Sequence, residues 1–336
     1  LMRGNLPEPM RSLLALPCLV LLSAAAAPAP PRLSLPLACT PGKDCFLQNH
    51  VDRDPGPGVR DFRCGAQTYE GHTGTDIRLT DHAARLRGVD VLAAAPGRVV
   101  RLRDGEPDIS VRDPAAPPIA GRECGNGVVI DHGGGWETQS CHLARGSIRV
   151  KVGQAVAAGQ PIARVGLSGN TEYPHLHLTV RQGARTVDPF LPEGGAACSA
   201  RADGVGLWTP AAAAALAYRS GGAVLNAGFA DGPVDNARVE AGGPPRPGRN
   251  APALVAYVRA INLKGGDRPV LTLTGPDGVV LARAEGAPLD RSKAQWLVYA
   301  GKRAPPGGWP AGLYRADYAV LRNGQTVLSR RFDLRL

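Results

Sequence analysis

The 336-residue sequence predicts an all-β protein with two domains, a β-sheet domain followed by an antiparallel β-sandwich. Residues 60–190 alternate short runs of Val, Ile and Leu with Gly, Asp and Asn turns, a spacing typical of many short strands. Beyond residue 205, apolar and polar residues alternate, and the tetrapeptides GPDG and RNGQ lie between apolar runs as hairpin turns. These observations indicate antiparallel sheets in both halves of the chain.

The first 27 residues have the pattern of a secretory signal peptide with a short upstream extension. Met10 is the expected start, Arg11 supplies the positive charge, and the apolar run Leu13–Leu22 precedes the small residues Ser23–Ala27. This run is too short for a permanent transmembrane helix, and no later segment is long and apolar enough to be one. We therefore expect an exported protein of the periplasm or cell envelope, without a stable membrane span.

Composition divides the rest of the chain into three parts. The proline-rich residues 28–38 are expected to be an extended linker, residues 39–198 the first domain and residues 205–336 the second. In the second domain, the alanine run after Thr209–Pro210 is expected to be a short capped helix. This domain contains no histidine and no cysteine, so its sequence shows no cluster of catalytic groups.

The cysteines indicate an oxidising compartment. Cys18 would leave with the signal peptide, and the six remaining cysteines allow 15 disulfide pairings. Cys124 and Cys141 flank a predicted hairpin that would bring them opposite each other, so we expect a disulfide between them. A cysteine zinc site is the alternative for these residues, and the lack of any C-x-x-C motif argues against it.

The other four cysteines give weaker guidance. The preferred pairs are Cys45 with Cys64 and Cys39 with Cys198, but spacing alone does not distinguish them from the remaining combinations.

The net charge of +10 favours anionic partners. Nucleic acid satisfies this requirement on charge alone. However, the lysines and arginines are scattered along the chain, and aromatic residues make up only 5% of it, so stacking platforms are scarce. We therefore expect no nucleic-acid partner. A basic surface that contacts only solvent is the alternative explanation of the charge.

Three of the seven histidines fall in two short motifs, GHTGTD at 71–76 and PHLHL at 174–178. Alternate residues of a strand share a face, so His175 and His177 would project into one site. Zinc takes nitrogen and oxygen ligands of this kind, and the glycines beside His72 allow close backbone packing. Each motif alone also fits an ordinary polar segment, whereas the pair favours a metal site.

With these motifs, the chain resembles the lysostaphin-like, LytM-type family of zinc metalloendopeptidases. The family carries an H-x(3)-D motif, then a lone histidine, then an H-x-H motif. The matching residues here are His72 and Asp76, His142 in QSCHL, and His175 and His177. The resemblance covers roughly residues 60–190, including the hairpin VKVGQAVAAGQPIARVG from residue 150.

The resemblance implies one zinc ion per chain, bound by His72, Asp76 and His177. His175 and His142 would be the catalytic pair, with His175 as the general base and His142 bonded to the attacking water or to the developing oxyanion. The two histidines are also able to exchange these roles.

The resemblance further implies an enzyme that hydrolyses peptide bonds in the stem peptides or cross-links of peptidoglycan. Its partner would be peptidoglycan. For the C-terminal domain, which lies outside the resemblance, we expect a role in positioning the first domain on the wall, in gating the cleft or in docking a regulatory protein. The alternative is a non-catalytic LytM-type regulator or wall-binding protein that activates another hydrolase. Such regulators have usually lost metal ligands, whereas all are present here.

Several features are expected to have no part in the site. His50 and His82 have no informative context and are expected at the surface, and His132 falls in an exposed glycine-rich turn. The hairpin from residue 150 also resembles lipoyl and biotinyl carrier domains. Those domains need a modified lysine at the hairpin tip, and Lys151 precedes the turn.

Overall fold

The computed structural model describes residues 1, 2, 4, 29–193 and 195–336. The expected signal peptide, with Cys18, lies outside the described residues apart from residues 1, 2 and 4. Among the described helices, none has the length and apolar character needed to cross a membrane. Most of the regular secondary structure in the described chain is antiparallel strand, which confirms the all-β fold class.

The first half of the chain is built on one large antiparallel sheet. Its elements are β1 (Cys45–Asn49), β2 (Thr75–Leu79), α1 (His82–Arg87), β3 (Asp90–Leu92), β4 (Gly97–Arg103), β5 (Asn126–Asp131), β6 (Trp136–Leu143), β7 (Ala155–Val156), β8 (Pro161–Arg164), β9 (His175–Gln182) and β10 (Arg185–Val187). The strand order is β1-β2-β9-β6-β5-β4-β7, with β10 paired to β9, while β3 and β8 form a separate pair. Strands β2, β9 and β6 are therefore neighbours, and they carry most of the predicted site residues.

Strand β9 shows why the H-x-H motif forms one face of a site. Leu176, Leu178 and Val180 are at most 1% exposed and pack into the core beneath the sheet. Because successive side chains alternate between faces, His175 and His177 lie on the opposite face. The expected strand geometry of this motif is thus confirmed.

The second half of the chain forms two packed antiparallel sheets. Its elements are α2 (Pro210–Ala215), β11 (Ala223–Ala230), α3 (Asn236–Glu240), β12 (Ala253–Leu263), β13 (Arg268–Thr274), β14 (Val280–Glu285), β15 (Lys293–Arg303), β16 (Leu313–Arg322) and β17 (Gln325–Arg335). The sheets have the orders β11-β12-β15 and β14-β13-β16-β17, and they share an apolar core that includes Leu254, Leu271 and Tyr314. Both predicted hairpin turns occur, and Asn323 and Gly324 have the positive φ angles that a two-residue hairpin turn requires. The predicted sandwich is confirmed.

The segments at both edges of the first domain differ from expectation. The proline-rich residues expected to be a linker pack into the first core, where Leu33 and Leu37 are buried and form bridges to Trp208 and Val91. Residues 207–216, which the sequence placed in the second domain, also join the first core through Trp208 and the buried face of α2. Their apolar side chains cover the sheet, and the sandwich strands begin only at Ala223.

Three disulfides connect the six described cysteines, and Cys124–Cys141 is confirmed. The other two expected pairs are wrong, because Cys39 bonds to Cys45 and Cys64 bonds to Cys198. A local turn explains the first pair: the Asp44 carboxylate accepts from the Thr40 backbone N–H and reverses the chain between the two cysteines.

The second corrected pair depends on a contact between distant segments. The Ser199 backbone N–H donates to the Phe62 carbonyl, which places Cys198 beside Cys64 although 134 positions separate them. Sequence spacing carries no information about this approach.

Candidate metal centre

Strands β2, β6 and β9 bring five side chains of the two motifs and the lone histidine together. Asp76 is directly opposite His177 in the β2–β9 pair, and Cys141, the residue before His142, is opposite His177 in the β6–β9 pair. His72 reaches the same point from the loop that precedes β2. The structure therefore gathers all five predicted site residues into one cluster.

Three potential ligand atoms converge within this cluster. The distances are 3.1 Å from His72 Nε2 to Asp76 Oδ1, 2.8 Å from His177 Nδ1 to Asp76 Oδ1, and 3.1 Å from His72 Nε2 to His177 Nδ1. Ligand atoms bound to a tetrahedral zinc at about 2.0–2.1 Å are about 3.3 Å apart. Two imidazoles and a carboxylate at this spacing fit a zinc ion.

Two further groups of residues have ligand atoms close to one another. One consists of His142, His175 and His177 and overlaps the first set. The other contains Cys39 and Cys45, whose sulfur atoms are joined in a disulfide and are not available to a metal. With both sulfur atoms in the disulfide, Asp44 is the one remaining potential ligand of that group, so the histidine cluster is the candidate metal site among the described residues.

Each atom of the first set is oriented by a hydrogen bond at the other end of its side chain. His72 Nδ1 donates to the His50 carbonyl at 2.6 Å, which leaves Nε2 facing the cluster. Asp76 Oδ2 accepts from the Asn49 amide at 2.8 Å, and His177 Nε2 lies 3.1 Å from the Thr179 hydroxyl. Such partners fix the ring orientation and tautomer of metal-binding histidines.

The ionisation of Asp76 suits a cation site. Burial opposes the charged carboxylate, but electrostatic attraction to the His72 and His175 imidazoles and the hydrogen bonds from His177 and His72 outweigh it. Together they hold the pKa of Asp76 well below its usual value. Asp76 is therefore ionised at neutral pH.

The His142 and His175 rings are held in the same way, each by a hydrogen bond from Nδ1 to a backbone carbonyl. Their Nδ1 atoms donate to the backbone carbonyls of Ser168 at 2.8 Å and Tyr173 at 3.0 Å. Burial lowers the pKa of both imidazoles, and that of His142 is lowered further by His175 and His177. Both rings are neutral at neutral pH and keep an unprotonated Nε2, the form a general base needs.

The backbone at His142 is unusual and is held by its neighbours. Its φ of 61° lies in the left-handed region that non-glycine residues rarely adopt. The Cys124–Cys141 disulfide adjoins it, and its N–H donates to the Cys124 carbonyl at 2.8 Å. Backbone strain of this kind persists only where the surroundings enforce it, and it concentrates at functional sites.

Gly74 explains why the first motif needs glycine between its two ligands. A Cβ atom added there would lie 2.6 Å from His177 Nε2 and 2.9 Å from the Leu178 carbonyl oxygen. No side chain fits without moving the imidazole or the strand. The close packing expected of the motif glycines thus occurs at Gly74, while Gly71 faces open space.

A cleft of about 210 Å³ opens onto the cluster. His72, His142 and His177 line this cleft together with Glu123 and Arg181. The Arg181 guanidinium donates to the Gln139 side chain at 2.6 Å, which holds it at the cleft wall. The cleft thus presents charges of both signs beside the histidines, as a polar chain-like ligand requires.

The remaining histidines, His50, His82 and His132, lie outside the cluster, and all three are less exposed than expected; His82 in α1 is half-buried. His132 is half-buried and bonds to the Pro96 carbonyl and the Thr138 hydroxyl. His50 was expected at the surface and is instead fully buried, and its carbonyl holds His72. Its ring lies among aromatic rings from three distant segments, Phe62, Phe190 and Tyr218. No sequence signal could have revealed these contacts.

Comparisons with known proteins find similarity in the segment that carries the cluster. The model of peptidase family M23 matches residues 70–189, the segment that contains the whole cluster. The chain is 46% identical over 120 residues to the peptidoglycan DD-endopeptidase ShyA of Vibrio cholerae, a match covering 35% of this chain and 22% of ShyA. It is 35% identical over 104 residues to the cell division protein DipM of Caulobacter vibrioides, covering 28% of this chain and 17% of DipM.

These matches cover about a fifth of each relative's length. Among solved structures, a zinc-containing peptidase from Vibrio cholerae is 27% identical, with a TM-score of 0.27, and the match covers 42% of this chain and 39% of that one. Residues 70–189 form a domain of peptidase family M23, the LytM-type family that the histidine motifs resemble.

Proposed function

We propose that this protein is an exported zinc metalloendopeptidase that hydrolyses peptide bonds in the stem peptides or cross-links of peptidoglycan. One observation carries the proposal: a complete set of three converging ligand atoms lies beside two neutral, oriented imidazoles, and an open cleft reaches this cluster at His72, His142 and His177. A protein that only binds the wall or a partner has no need for this set. The similarity to a peptidoglycan DD-endopeptidase supports the substrate class.

In this proposal His72, Asp76 and His177 hold one zinc ion per chain. A bound zinc supplies Lewis acidity, which lowers the pKa of a water molecule to about 7. The ionised Asp76 offsets part of the metal charge, and the partners of the ligand side chains keep the binding atoms aimed at one point.

His175 is proposed as the general base. Its Nε2 is unprotonated and lies 3.5 Å from Asp76 Oδ1, so it faces the ligand set directly. After taking a proton from the attacking water, the imidazolium is stabilised by the Tyr173 carbonyl at Nδ1 and by the nearby Asp76 carboxylate. It then donates the proton to the leaving amine.

His142 is proposed to orient the water. Because its Nδ1–H is bound to the Ser168 carbonyl, the neutral ring offers only an acceptor at Nε2. An acceptor suits a water hydrogen and not an oxyanion. His142 becomes able to stabilise an oxyanion only when protonated, so in the exchanged roles His142 itself takes the proton from the water and His175 orients it.

The test combines metal analysis with product analysis. We expect about one zinc per purified chain, release of soluble fragments from purified peptidoglycan, and loss of that release with a chelator followed by recovery with zinc. Mass spectrometry of the fragments would identify the bond that is cleaved. Zinc-loaded protein that releases no fragments would contradict the proposal and favour the non-catalytic regulator.

A further inference from the structure

A buried ion cluster joins the two domains beside the metal centre. Arg78 of β2 and Arg259 of β12 both donate to one oxygen of Glu240, at 2.6 and 2.5 Å. Glu240 ends α3 in the C-terminal domain, whereas Arg78 belongs to the peptidase-family domain. The two arginine side chains are at most 1% exposed, and that of Glu240 is 15% exposed. The second domain therefore supplies the only carboxylate that pairs with Arg78 among the described residues.

Arg78 connects this cluster to the catalytic face. It is two residues from Asp76 on β2 and directly opposite His175 in the β2–β9 pair. Its guanidinium lies over the Tyr173 ring, 3.9 Å from the ring centroid, and the Tyr173 ring lies 5.0 Å from that of His175. The Tyr173 carbonyl also receives the His175 Nδ1–H. A continuous set of contacts thus leads from Glu240 to the proposed general base.

A second contact holds the end of the same strand. Arg259 donates to the Thr80 carbonyl at 2.7 Å, one residue beyond β2. Removing the Glu240 charge would leave two buried guanidinium groups without a counter-charge. A buried ion that loses its partner is strongly unfavourable, so the side chains must rearrange. Arg78 is the member of this group that contacts the site.

We propose that Glu240 is a positioning residue: it holds Arg78 against Tyr173 and thereby fixes the His175 imidazole, so the C-terminal domain sets the geometry of the site from outside it. The inference rests on the proposed role of His175 as the base. It assigns to the second domain a task in the reaction itself, beyond binding of wall or partner.

The experiment uses the full, zinc-loaded chain with Glu240→Gln, which keeps the shape and removes the charge. All seven histidines precede residue 178, so histidine ring NMR signals report only on the first domain. We expect unchanged zinc content, a shifted His175 signal, and a kcat on a soluble cross-linked peptide lower by about tenfold to a hundredfold with little change in KM. Glu285→Gln, at an exposed ion pair of the same domain, is the matched control and should change nothing.

A double substitution tests the route. If Glu240 acts through the aromatic ring, Glu240→Gln should reduce kcat no further in a Tyr173→Leu background. If the two substitutions reduce kcat additively, the proposal is overturned. It is also overturned if folded Glu240→Gln keeps the wild-type His175 signal and kcat, even when its thermal stability is lower. If Glu240→Gln does not fold, Glu240→Asp is the alternative variant, because it keeps the charge on a side chain that is one methylene shorter. It should shift the same His175 NMR signal. The His175 NMR signal can be measured without turnover. An inactive protein would therefore contradict the proposed function, while the response of the signal to Glu240→Gln would still test this inference.

Discussion

The two halves of this protein bury very different side chains. Of the 22 buried polar or charged residues in the described chain, 20 precede residue 190, and only Arg259 and Asp267 lie in the sandwich. The sandwich core is otherwise apolar, with Leu254, Leu271 and Val320 among its fully buried residues. Buried polar groups cost free energy unless each is hydrogen-bonded, so their concentration in one half calls for a reason other than stability.

The site supplies that reason for the first half. His72, Asp76, His142 and His175 are all at most 6% exposed, and each has a specific partner that fixes its orientation. In the sandwich, Arg259 is buried at the contact with the first domain, where it meets the Glu240 carboxylate. In these residues, polar burial coincides with the proposed site and with the contact between the two domains.

Among the substitutions that test this difference, loss of a metal ligand should have the largest effect. We expect His177→Ala to abolish zinc binding and with it all turnover, because two protein ligands remain in place of three. Metal analysis after dialysis measures the effect. His132→Ala, which removes a half-buried histidine outside the cluster, is the control and should keep one zinc per chain. Full zinc content in His177→Ala would show that the metal lies elsewhere.

Loss of the proposed base should leave the metal in place. We expect His175→Ala to retain zinc and to lose about a hundredfold or more in kcat, the usual effect of removing a general base. Steady-state kinetics on a soluble peptide, combined with metal analysis, checks both parts. Wild-type kcat in this variant would transfer the role of base to His142.

Gly74 tests whether the packing around the ligands matters as much as the ligands themselves. Gly74→Ala should push the His177 ring or its strand and lower zinc affinity by about tenfold to a hundredfold, as loss of a supporting contact does. Competition with a chelator of known affinity measures the change. Gly232→Ala, where an added Cβ meets nothing within 4 Å, is the matched control. Equal affinities of the two variants would contradict the geometric argument.

The disulfides offer the smallest expected effect and are confined to the first half. Replacing both Cys124 and Cys141 by serine should lower the free energy of unfolding of that half by about 3 kcal/mol, and replacing Cys39 and Cys45 by about 2 kcal/mol, because the second pair closes a shorter loop. Denaturant unfolding without reductant measures both. The sandwich should unfold as in the wild type, and a shared loss would show that the halves unfold as one unit.

Local patterns in the sequence were sufficient for much of this structure. Alternation of residues predicted that His175 and His177 share a face of β9, and the turn residues Asn323 and Gly324 predicted the last hairpin. The cysteines flanking one hairpin predicted Cys124–Cys141. These features depend on residues within about twenty positions of one another, where backbone geometry limits the outcome. The motif spacing also identified the five clustered side chains, through a resemblance to a known family.

Only the tertiary structure decided how distant segments meet. It placed His50 beneath His72, joined Cys64 to Cys198 and packed Trp208 into the first core. It also brought Glu240 to Arg78 across 162 positions of sequence. Such contacts arise because burial of apolar surface and pairing of buried charges are properties of the assembled core, and no local pattern records which segments will share it.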